Sequence, residues 1–246
     1  MRTCALFSFA LTILMAAGCA RPARLVPGPE ATHIGRDRRL AVEEIEGVRM
    51  VARGDAWRGD SRIEEHVTPL RLRIENDSGQ PLRIRYDAFA LISDTGERYT
   101  ALPPILVEEV AEELEERDHR DPRYRHARAP FRTRIRTPAF YHRHFYIAPY
   151  YRRYYPDMRV VQRRFMYDPV YYRHYYGYWV DTPLPTEEML ENAIPEGILD
   201  HGGSLDGFLY FEPVDRGAES VTFRADIVFA DDGRIPGAIS IPFDVE

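Results

Sequence analysis

Lysine is absent from the 246 residues, so all 33 basic side chains are arginine. That excludes a phosphate loop built around a lysine, a Schiff-base lysine and a Ser-Lys catalytic pair. Cysteine is nearly as scarce: Cys4 and Cys19 are the whole supply, both within the first 19 residues, and a disulfide framework is excluded. The H-E-x-x-H zinc motif, the dinucleotide glycine fingerprint and the spacing of a calcium loop are missing too, and Asp231-Asp232-Gly233 reads as a turn. Gly202-Gly203-Ser204-Leu205-Asp206 approaches the G-x-S-x-G elbow but ends in aspartate, with no parallel α/β pattern around it. It reads as a flexible loop leading into a strand at Phe208. No cofactor is expected.

What is abundant is unevenly placed. Residues 117–180 hold 13 of the 16 tyrosines and 15 of the 33 arginines, against four aspartates (Asp118, Asp121, Asp157, Asp168), so this stretch is net +11 in a chain of net −6. Such an imbalance calls for a partner or for a neutralising face of the fold.

The N-terminus has the layout of an export signal: Arg2, an apolar run from Ala5 to Ala17, then small residues before Cys19. The run is shorter than the roughly 20 residues of a membrane span. Ala16-Ala17-Gly18-Cys19 resembles the lipobox of bacterial lipoproteins, with Ala16 where leucine is most frequent. The resemblance implies cleavage before Cys19 and lipidation of that cysteine, hence an anchor of several acyl chains, each buried CH₂ contributing about 0.8 kcal/mol. By the same resemblance, Ala20 in place of aspartate implies sorting to the outer membrane, where the chain is expected to face the periplasm.

Leu70-Arg71-Leu72-Arg73-Ile74-Glu75 alternates apolar and charged residues, the pattern of a strand with one wet face. After the turn Asn76 to Gly79 come Leu82 to Tyr86 and Phe89 to Ile92, then the turn Asp94-Thr95-Gly96; these three segments suggest a meander. Val48 to Ala52, Phe208 to Phe211, Val221 to Phe229 and Ile239 to Val245 supply further strands, and Trp57 is a core or edge residue. About seven such strands predict a mainly β fold, an immunoglobulin-like antiparallel β-sandwich. Ile74-Glu75-Asn76, Asp94-Thr95-Gly96, Gly207 to Phe211 and Ile241-Pro242-Phe243 resemble the paired halves of immunoglobulin-like domains in bacterial lipoproteins, a likeness that implies a fold and no reaction.

The expected organisation is a signal peptide over 1–18, a flexible tether over 19–40, the first part of the sandwich over 41–104, an acidic helix and a helical or disordered Tyr/Arg-rich insertion over 105–181, and a short helix with the second part of the sandwich over 182–246. Leu106, Val110 and Leu114 among six glutamates predict the acidic helix, and Thr186 the start of the short helix that ends before Pro195.

Within the insertion, Tyr150-Tyr151-Arg152-Arg153-Tyr154-Tyr155 is nearly repeated as Tyr171-Tyr172-Arg173-His174-Tyr175-Tyr176. In a helix the tyrosines of each copy share one face. Three readings stand beside one another. The tyrosines cover the sandwich while the arginines neutralise the acidic helix. Alternatively they form an interaction surface for an anionic envelope polymer, such as lipopolysaccharide or peptidoglycan, or for another envelope protein. The third is a metal site on His142 and His144, one side of a strand, with His119, His126 and His174; no acidic or thiol partner stands at ligand spacing, so no metal is expected. Nucleic acid is not an expected partner of an exported chain. The leading expectation is a non-enzymatic envelope lipoprotein anchored in the membrane through Cys19; the other is a hydrolase of envelope polymers with a carboxylate pair formed only in the fold.

Overall fold

The computed structural model describes residues 22–35, 37–103, 134–161 and 187–246. Cys19, the acidic helix after Ile105, Thr186 and the second tyrosine copy at 171–176 lie outside them.

The fold is mainly β, an antiparallel curled sheet with two short helices among the described residues. In chain order the elements are β1 (Leu25–Pro27), β2 (His33–Ile34), β3 (Asp37–Ile45), β4 (Val48–Arg53), α1 (Ser61–Glu64), β5 (Thr68–Asn76), β6 (Leu82–Ile84), β7 (Phe89–Ser93), β8 (Arg98–Leu102), β9 (Tyr141–Ile147), α2 (Glu187–Asn192), β10 (Gly197–Phe211), β11 (Ser220–Ile227) and β12 (Gly237–Val245). The strands run β1-β12-β11-β7-β8-β10-β5-β4-β3-β2. β10 is the hub: β6 and then β5 lie along one edge, β9 and then β8 along the other.

The alternating runs form strands because each has an apolar set to bury. Leu70, Leu72 and Ile74 of β5 meet Phe223, Ile241 and Phe243 in one core, while Arg71 and Arg73 point outward. Phe211 of β10 packs edge-on to Phe223 at 6.3 Å, so side chains from distant parts of the sheet interlock. A second cluster of Trp57, Ile63, Val67, Met189, Phe208 and Tyr210 seats α1 and α2 on the end of β10.

The structure differs from the sequence reading at four places. First, the expected tether is largely folded, because Leu25 is buried and β1 pairs with β12, while β2 and β3 begin the opposite edge. Second, β5, β6 and β7 make no meander: β5 and β6 lie end to end along β10, and β7 pairs with β8 and β11. Buried Asn76 holds the excursion between β5 and β6, donating to Gln80 O (2.8 Å) and Leu199 O (2.9 Å) and accepting from Ser78 N (3.1 Å). Third, Gly202 to Asp206 belongs to β10 and is no loop, although a bulge over Asp200 to Gly203 faces His144 of β9. His144 takes a positive φ of 52°, which breaks the alternation expected to align it with His142. Fourth, the described part of the insertion is neither helical over two turns nor disordered, for it supplies β9 and a 3₁₀ turn, Pro149–Arg153. Pro156 disfavours helical backbone at Tyr155, so the helix stops there.

Candidate functional site

Tyr151, Tyr154 and Tyr155 of the first tyrosine copy are buried in the main core, and Arg152 and Arg153 are exposed. In a 3₁₀ turn residues i and i+3 eclipse, which sends Tyr151 and Tyr154 to one side. Tyr155 Oη donates to Leu190 O at 2.6 Å, satisfying a carbonyl in the last turn of α2 that has no partner within the helix. Its hydroxyl is driven far above the usual phenol range by burial. Three of the tyrosines proposed for an interaction surface are therefore core residues. The side chain of Tyr150, and Tyr171, Tyr172, Arg173, Tyr175 and Tyr176, lie outside the described residues.

The insertion still reaches a surface through β9. Its Tyr141 and Arg143 pair with Asp206 and Ser204 of β10. On the same face β5 places Glu75, Arg73 and Arg71, and β4 places Arg49, Val51 and Arg53, because their neighbours Met50, Ala52, Leu72 and Ile74 are buried on the other side. The register sets Arg53 directly opposite Arg71, Val51 opposite Arg73 and Arg49 opposite Glu75.

The four arginines of β4 and β5, with Glu75 and Asp206, line a groove of about 370 Å³ together with the apolar Ile34, Leu40 and Val51. Four guanidinium groups and the carboxylates of Glu75 and Asp206 share it, a balance of 4 − 2 = +2 in a chain of net −6. Glu75 accepts from Arg49 (3.2 Å) and Arg73 (2.6 Å), and Asp206 takes Arg71 in two bonds of 2.8 and 3.3 Å. Arg53 leans away to Asp55 at 2.6 Å. Each guanidinium carries five donors, so these contacts leave several unused on Arg71 and Arg73, whose side chains are about half exposed. Like charges directly opposite on neighbouring strands are destabilising, and Arg53 and Arg71, opposite each other at the end of the β4–β5 ladder, avoid that cost by turning to Asp55 and Asp206.

A second hollow, of about 720 Å³, opens where β1 begins and β12 ends, lined by Arg24, Asp55, Trp57, Arg58, Glu64, Arg216 and Glu246. It brings together two carboxylates of opposite tendency. Burial raises the Glu64 carboxyl; burial also pushes Asp55 up, but hydrogen bonds and charges from Arg53 and Arg24 outweigh it and leave Asp55 below the usual carboxylate range. Asp55 is a structural hub, with Arg53 at 2.6 Å, Arg24 at 3.1 Å and Arg39 at 3.9 Å. Trp57 packs edge-on to Phe208 and Tyr210 and offers little free ring face.

The alternation of β5 already shows Arg71 and Arg73 pointing outward. What the sequence does not show is the register that adds Arg49 and Arg53 from β4 and Asp206 from β10. No protein-family model, curated protein or solved structure matches the chain.

Proposed function

We propose that this is a non-enzymatic lipoprotein of the cell envelope, anchored through Cys19 in the outer membrane and facing the periplasm, whose domain binds an anionic envelope component in the arginine groove. The half-exposed guanidinium groups of Arg71 and Arg73 carry this reading: the donors they do not spend on Asp206 and Glu75 are open to an anionic group in charge-assisted contacts. The lipobox resemblance at Ala16 to Cys19 supports the anchor. The sheet can be read as an immunoglobulin-like sandwich whose two layers are β1-β12-β11-β7-β8 and the strands from β10 to β2, continuous where β8 meets β10 over two residue pairs. A sandwich of this kind serves as a binding module, and Asp55, engaged by three arginines, supports a structural rather than a catalytic use of the nearby hollow.

Binding to purified lipopolysaccharide and to peptidoglycan is the test, with wild type and an Arg71→Gln/Arg73→Gln variant that keeps its urea midpoint. Wild type is expected to bind one of them at low salt, weaken as the screening length falls below about 10 Å, and exceed the variant about tenfold. Arg216→Ala, outside the groove, keeps wild-type affinity. Equal binding by the double variant, or no binding by wild type, sinks the groove reading. For the anchor, Cys19→Ser is expected to move the protein from the detergent to the aqueous phase.

A further inference from the structure

The chain is locked into the fold almost as soon as it enters the described residues. Arg24 N donates to Glu246 O at 3.0 Å and Glu246 N returns a bond to Arg24 O at 2.9 Å. The Arg24 guanidinium reaches Asp55 at 3.1 Å, and Leu25 to Pro27 pair with Val245 to Phe243. Cys19 lies five residues before Arg24. At about 3.6 Å per residue, a fully extended path between them covers no more than about 18 Å.

We infer that the domain is held end-on and close to the lipid surface, with the end that carries Arg24, Arg58, Arg216 and Glu246 facing the phospholipid headgroups. The inference rests on lipidation of Cys19. That end is marked by the large hollow and by the turn Asp94 to Gly96, whose Asp94 N bonds Ser220 O at the start of β11. The far end carries the turn at Glu46-Gly47 and the excursion after Asn76, joined by a bond from Asp77 N to Gly47 O. Ile45 and Gly237 approach each other there, so β12 spans the two ends: nine residues, or about 30 Å at roughly 3.3 Å per residue.

Covalent reach, not charge, sets this placement. At the near end Asp94, Glu97, Glu212, Asp215, Glu219 and Glu246, with Asp55 and Glu64, outnumber Arg24, Arg58 and Arg216 even when Arg39, Arg53 and Arg98 are counted beside them, so an anionic leaflet does not attract it. Proximity is then insensitive to salt, which separates it from arginine-led adsorption.

The test uses the acylated full chain in phosphatidylethanolamine and phosphatidylglycerol vesicles carrying a headgroup-linked energy acceptor. Arg216→Cys and Asp77→Cys each offer a single thiol for a donor dye, because acylation blocks Cys19. Transfer is expected to be several-fold stronger from position 216 than from position 77, unchanged by added salt, and evened out when about ten Gly-Ser residues are inserted between Arg21 and Pro22. Equal transfer from the two positions in the acylated chain overturns the inference while leaving the anchor intact. A mass spectrum showing unmodified Cys19 overturns both.

Discussion

Asn76 and Asp55 show how single side chains hold this sheet. Asn76 is fully buried and fills its hydrogen-bonding capacity with Gln80, Leu199 and Ser78, so it replaces the ladder bonds lost where β5 gives way to β6. Asn76→Ala leaves those backbone groups without their partner and is expected to cost about 2–4 kcal/mol in urea unfolding, since each orphaned group costs about 1–3 kcal/mol. Asp55 makes a prediction about acid. Its carboxyl titrates below the ordinary 3.8, so the stability it contributes is present above that value and is lost as the pH falls through the lower, folded one. Asp55→Asn should therefore be less stable than wild type near neutrality and should lose less stability on acidification below about pH 4. Parallel pH profiles for the two proteins would refute the assignment.

At the scale of elements, the legible parts of the fold were those with one face in water. β5, β11 and β12 announce themselves because a half-buried strand alternates, as Leu70 to Glu75 does. β10 is only partly legible: covered on both faces along much of its length, it reads as a strand at Phe208 to Phe211, while Gly202 to Asp206, where glycines mix with apolar residues, reads as a loop. Gly197, Gly203 and Gly207 are there for clearance, and Gly202 for its positive φ of 71°. A Cβ on Gly197 would stand 2.2 Å from Tyr146 O, so Gly197→Ala must push β9 away and is expected to cost about 1–3 kcal/mol in urea unfolding, whereas Gly217→Ala, with Asp215 Oδ1 at 3.4 Å, should change stability far less. The tyrosine-rich segment misled for a related reason. Six residues with two adjacent arginines suit a helical surface, but only tertiary packing reveals that Tyr151, Tyr154 and Tyr155 fill the core. Deleting 134–161 should abolish cooperative unfolding rather than leave an intact sheet, which circular dichroism during a urea titration would show.

For the whole molecule, the position of β10 in the chain decides when folding can happen. The four strands along its edges lie between Thr68 and Ile147, and Leu70 meets Leu209 across more than half the sequence. Contacts that close such long loops form late and slowly. A chain made from its N-terminus, or threaded through a membrane in that direction, has nothing to join β5, β6, β8 and β9 until Gly197 to Phe211 emerge; a version ending before Gly197 is expected to show no cooperative transition. The polypeptide therefore stays pliable until β10 is made, and sets into its final form only once that strand can slot between its partners.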